Sequence, residues 1–133
     1  MEKAYLMIRV GIGLNILMHG MVRSGKNKAP FIEAVQKEFA DTYLPKRLVR
    51  IFAEVLPVLE LVTGVFLLLG VFTAQTIFFG FSLMLILLFG KAVKSDWLIV
   101  TLQMIYISLY AILIAGIEHN TISIDNLFKS IKI

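Results

Sequence analysis

The chain has 133 residues and a formal net charge of +4; 59% of its residues are hydrophobic and 17% charged, and its mean hydropathy is +0.87. No ordinary water-soluble domain carries so few polar groups, and a bilayer core about 30 Å thick needs roughly 20 apolar residues per helix. The composition therefore excludes a soluble enzyme and predicts one all-α domain, an integral membrane four-helix bundle with little chain to spare.

In chain order, apolar runs place helix one over residues 5–21, helix two over 48–71, helix three over 76–93 and helix four over 97–117. Reading residues 5–21 as a cleaved signal peptide is disfavoured, because Arg9 interrupts the apolar region and no small-x-small cleavage site precedes Arg23. Between helices one and two, "RSGKNKAPFIEAVQKEFADTYLPKR" is the one long polar segment. Phe31, Val35 and Phe39 recur there every four residues, with Glu33 and Lys37 paired on another face. This predicts a short amphipathic helix, lying either on the bilayer surface or against the end of the bundle. Pro45 suits the first turn of helix two, Gly70 and Thr73 mark the next boundary, and Ser95 and Asp96 can cap helix four. Tyr5, Tyr43 and Trp97 read as interfacial anchors.

Arg23, Lys26, Lys28, Lys37, Lys46, Arg47, Arg50, Lys91 and Lys94 all fall on the side of loops one and three, against Lys3, Lys129 and Lys132 on the other. The positive-inside rule then turns loops one and three to the cytoplasm and both termini outward. Anionic lipid accounts for the basic charge, so no nucleic acid is needed as a partner.

The absence of cysteine excludes a thiol relay, a disulfide, a thiolate-bound metal and covalent haem. His19 and His119 lie at opposite ends of the bundle and cannot share one haem within a subunit. No metal site is expected, since carboxylates alone would have to build it. Gly11 and Gly13 sit on a membrane helix with no preceding strand, so their spacing is not a dinucleotide fingerprint. Gly13, Gly20, Gly64 and Gly80 instead permit close helix contacts, within one chain or in a homo-oligomer.

Charged and polar groups inside a membrane span are costly and should face the bundle interior with partners. Glu60 is the focus, set in the aliphatic run "LPVLELVTGVFLLLG". Counted from the terminal side, Arg9 lies about 6 Å into helix one and Glu60 about 16 Å into helix two, so Arg9 is the expected cation for Glu60. On the loop side His19 and Glu54 form a second expected pair. Glu54 and Glu60 are six residues apart and point about 120° away from each other, which rules out an acid dyad. Pro57 can bend helix two and open a small cavity beside Glu60. Gln103 and Tyr106, an i,i+3 pair, are expected to hydrogen-bond between helices or to line that cavity. Glu60 is then either a paired packing residue or a functional carboxylate serving a proton or a bound head group.

The stretches "RVGIGLNILMHG", "LPKRLVRIFAEVLPVLELVTGVFLLLGVFT", "LLFG" followed by "SDW", and "SIDNL" resemble, in order and spacing, the DoxX family of small four-helix bacterial membrane proteins. That family is related to the DoxD subunit of thiosulfate:quinone oxidoreductase and to MauE-type proteins. The resemblance matches the family's helix-one His-Gly to His19 and Gly20, its helix-two Pro and Glu to Pro57 and Glu60, and its terminal Ser-x-Asp to Ser123 and Asp125. Ala74 stands where members commonly carry a basic residue. The resemblance implies an inner-membrane component of a redox system, with a quinone as the cofactor to consider and a soluble or membrane redox enzyme as partner. The expected function is an accessory or binding protein that holds a quinone or lipid, or docks a redox enzyme. The alternative is a membrane subunit of a quinone-linked oxidoreductase, in which Glu60 and His19 handle protons. A transporter or channel is a third reading of the intramembrane charges. The residues themselves expose no electron-carrying group, so whether the chain is an enzyme stays open.

Overall fold

The computed structural model describes residues 1–131, which are mostly helical, with no strand among the described residues. Six α-helices follow one another: α1 (Glu2–Val22), α2 (Lys28–Glu38), α3 (Lys46–Leu69), α4 (Thr73–Val93), α5 (Trp97–Ala115) and α6 (Ile124–Ile131). Helices α1, α3, α4 and α5 are long and apolar enough to cross a bilayer, which makes this a multi-pass membrane protein. The four spans match those expected from the apolar runs, except at their ends. Helix α1 opens at Glu2, α3 at Lys46 and α4 at Thr73, because polar residues continue a helix into the head-group layer. Helix α5 stops at Ala115, before Gly116.

The spans run alternately up and down. Helix α1 packs on α3 and α5, and α4 packs on the same two, which closes a four-membered ring. The core is formed by Ile12, Ile16, Leu56, Leu67, Ile77, Leu83, Tyr110 and Leu113. Outward-facing Leu14, Val58, Val62, Phe78, Ile86 and Ile105 give the bundle the apolar exterior that acyl chains require. The α1–α3 contact is the closest. A methyl group added at Gly20 would lie 2.8 Å from the carbonyl oxygen of Pro57, and one at Gly64 would lie 2.6 Å from Cβ of Leu17. These helices touch through their backbones because glycine stands at the crossing.

Helix α3 runs unbroken through Pro57. Gly20 of α1 packs directly on α3 at the Pro57 carbonyl and the Leu61 nitrogen. Helix α2 forms where the Phe31, Val35 and Phe39 pattern predicted it, and it packs on α3. Lys91 reaches Glu38 at 2.5 Å and Lys94 reaches Asp41 at 2.8 Å, which ties the end of α2 to the end of α4. The Lys94 ammonium beside Asp41 holds that carboxyl below the usual range. The amphipathic segment is thus a cover on the loop end of the bundle.

At the opposite end, α3 terminates at Gly70 in a left-handed conformation (φ 68°), and Phe72 follows with φ 44°. Helix α4 opens without a capping side chain of its own. Asp125 supplies the cap from a distant part of the chain, accepting hydrogen bonds from the N–H groups of Phe72 at 2.8 Å and Thr73 at 2.7 Å. Partial burial pushes its carboxyl up, but these donors and nearby Lys129 outweigh that effect and hold it below the usual carboxylate range. Asp125→Ala is expected to cost about 1 kcal/mol in detergent-solubilised unfolding. Because the folded carboxyl titrates below its unfolded value of about 3.9, this difference should be full at neutral pH. It should fade as pH falls below about 4 through the folded-state value. A loss that is unchanged at acid pH would remove the charged cap from this account.

Candidate functional site: a buried carboxylate between α1 and α3

Polar side chains inside the bundle gather in two layers. The first lies at the terminal end and corrects the expected Arg9–Glu60 pair. Arg9 is 2% exposed and donates to the carbonyl of Leu67 at 3.0 Å and to that of Ile122 at 2.6 Å. It satisfies a carbonyl in the last turn of α3, where the helix dipole also favours a cation, and one in the segment before α6. The close contacts of Gly13 with Gly64 and Leu68, and of Gly20 with Pro57 and Leu61, fix the register of α1 against α3. That register places Arg9 about 16 Å along the axis from Glu60, beyond its reach.

The second layer is nearer the loop end and is built around Glu60, whose side chain is 3% exposed. Its partner is Arg23, the residue that closes α1, which forms an ion pair with Oε1. The guanidinium of Arg23 also lies 5.1 Å from the ring centroid of Phe31, so α2 covers the pair from outside. A buried carboxylate needs such a partner, because desolvating an isolated charge in this setting costs several kcal/mol. Glu60 Oε2 is fully buried and has no partner among the described residues.

His19 lies one turn before Arg23 and on nearly the same side of α1. With Gly11, Leu14, Asn15, Met18 and Val22 it lines a shallow groove along the outer face of that helix. It is not joined to Glu54, which corrects the second expected pair. Glu54 accepts instead from Arg50 Nε at 2.9 Å, one turn earlier on α3, with 40% of its side chain exposed. The i,i+4 neighbour wins because both side chains project from the part of α3 that extends past the end of α1.

Gln103 and Tyr106 lie on α5, facing α1. Tyr106 accepts a hydrogen bond from Asn15 Nδ2 at 3.0 Å, an interhelical bond of the kind the sequence predicted. This register sets Gln103 opposite Met18 and His19, within about 3 Å of the depth of Glu60. Gln103 Oε1, like Glu60 Oε2, is buried without a partner. At this depth there are one fixed ion pair, between α1 and α3, and two buried acceptors without a donor, one on α3 and one on α5.

Among the described residues no three His, Asp or Glu side chains come together as a metal site. Arg23 and Asn15 are the members of this layer that sequence reasoning did not select as site residues. Arg23 was the nearest cation at the loop end of α1, but its relevance depends on how far α3 projects past it. No family model matches the chain, and no curated protein or solved structure is similar to it.

Proposed function

We propose that this chain is a DoxX-like inner-membrane protein that binds the head group of a membrane-soluble amphiphile as an accessory component of a membrane redox system. A quinone is the ligand class in view. The observation carrying this reading is the buried, half-satisfied carboxylate of Glu60, held by Arg23 one helical turn from His19. The groove on the outer face of α1, lined by Asn15 and His19, opens to lipid, so an amphiphile could bring its head group to His19 without leaving the bilayer. The reduced, hydroxyl-bearing form suits the layer best, because both unfilled atoms are acceptors and a hydroxyl donates to them. In this reading Arg23 and His19 orient the head group, while Gln103 and Tyr106 of α5 border it. Arg9, Glu54 and Pro57 contribute to the fold and not to the site.

The proposed orientation places loops one and three in the cytoplasm, following the distribution of lysine and arginine. A redox enzyme would then meet the protein on the face formed by α2. A membrane subunit of a quinone-linked oxidoreductase is the second reading, favoured by the same free oxygen of Glu60, which could accept a proton from a bound hydroquinone.

Native mass spectrometry of protein extracted in mild detergent tests ligand binding. The wild type should retain an isoprenoid quinone or hydroquinone, and Glu60→Leu should reduce the retained fraction at least severalfold. Phospholipid adducts alone, equal in both proteins, would contradict the proposal.

A further inference from the structure

Helix α6 stands outside the four-span ring and presents two unlike faces. Its polar side is engaged with the end of the bundle. The Asp125 N–H donates to the carbonyl of Gly70 at 3.0 Å, its carboxylate caps α4, and Asn126 Nδ2 donates to the carbonyl of Thr121 at 2.8 Å. These bonds fix both the position of the helix and its rotation about its own axis. The other side carries Ile124, Leu127, Phe128 and Ile131, spaced at i, i+3, i+4 and i+7 within about 100° of arc. Leu127 and Phe128 are each 63% exposed and Ile131 78%.

Among the described residues nothing covers this face, and its place in the fold identifies what does. Asp125 joins α6 to the turn between α3 and α4, two membrane spans, so the helix lies at the level where those spans leave the bilayer. Phe72 in that turn and Ile122 just before α6 are themselves exposed, so apolar side chains are presented at this end of the bundle from both segments. We propose that α6 is an interfacial anchor. It lies in the plane of the membrane on the terminal side, with Ile124, Leu127, Phe128 and Ile131 on the outer ends of the acyl chains and Lys129 among the phosphates. A second copy of the chain is the weaker occupant, because one face of an eight-residue helix falls far short of the roughly 800 Å² per partner that a stable interface buries.

The cysteine-free chain allows a direct test with nitroxide labels on single cysteines, introduced one at a time at Leu127, Phe128, Lys129 and Ser130. The full-length protein is reconstituted in vesicles of phosphatidylcholine and phosphatidylglycerol, and accessibility to oxygen and to a water-soluble nickel chelate is read by electron paramagnetic resonance. Labels at 127 and 128 should favour oxygen severalfold over the chelate relative to labels at 129 and 130. Equal, high chelate access at all four positions would show α6 standing in water and overturn the proposal. Low access to both relaxants at 127 and 128 would show the face buried against protein, a second copy included, and would overturn it too.

Discussion

Arg23→Leu should destabilise the bundle by about 3 kcal/mol, the scale expected when one partner of a buried ion pair is removed and the other stays behind. Glu60 is the deeper member, with a side chain 3% exposed against 27% for Arg23, and α3 gives it no route to water. The reverse substitution should cost less. In Glu60→Leu, Arg23 sits at the end of α1 and can turn its long side chain toward the head groups. In the double variant Arg23→Leu/Glu60→Gln, part of the first loss should return, because a neutral amide no longer leaves a charge stranded. Unfolding in mixed detergent micelles, followed by loss of helicity, measures all of these. The same cycle with Arg9 separates this account from the pairing suggested by sequence depth. Arg9→Leu should destabilise on its own, because it leaves the carbonyls of Leu67 and Ile122 without a donor, yet its effect should add to that of Glu60→Gln without coupling. Coupling of Glu60 to Arg9 and not to Arg23 would contradict the structure.

Gly20→Ala should be nearly as damaging, at about 2 to 3 kcal/mol, despite adding a single methyl group. That methyl would meet the Leu61 nitrogen and the Pro57 oxygen at 2.8 Å. Both are backbone atoms of α3, with no rotamer through which to yield, so α1 and α3 must part along this contact. The separation would also pull Arg23 from Glu60, and quinone retention should fall together with stability. Gly11→Ala is the matched control: no atom lies within 4 Å of an added Cβ there, and its effect should stay within about 0.5 kcal/mol. Equal effects at the two positions would show that the added methyl meets no packing conflict at Gly20, since helix propensity favours alanine at both.

The spans were legible because each is a long apolar run closed by recognisable breakers such as Gly70 and Asp96. The amphipathic α2 was legible for the same reason, from a period of four. Helix α6 was missed although Ile124, Leu127, Phe128 and Ile131 carry a helical period. Eight residues after the last span give a short window, and the capping role of Asp125 depends on a turn more than fifty residues away. The choice of Arg9 over Arg23 failed for a geometric reason. Depths counted from each helix's own end assume that helices start flush, whereas α3 begins at Lys46 and projects beyond the end of α1, with α2 packed against it. That stagger brings Glu60 toward Arg23. The polar residue types needed for the site were visible in the sequence, but the axial offset that selects among them arises from glycine contacts between two helices.

Retention of ligand across a small set of variants tests the central claim most directly, namely that the layer of Glu60, Arg23 and His19 receives the head group. His19→Leu lies on the lipid-facing side of α1 and should leave the fold intact, while Glu54→Leu removes a carboxylate of α3 outside the site. Native mass spectra should show the isoprenoid ligand lost from Glu60→Leu and His19→Leu and kept by Glu54→Leu. Equal retention by all three variants would contradict the account.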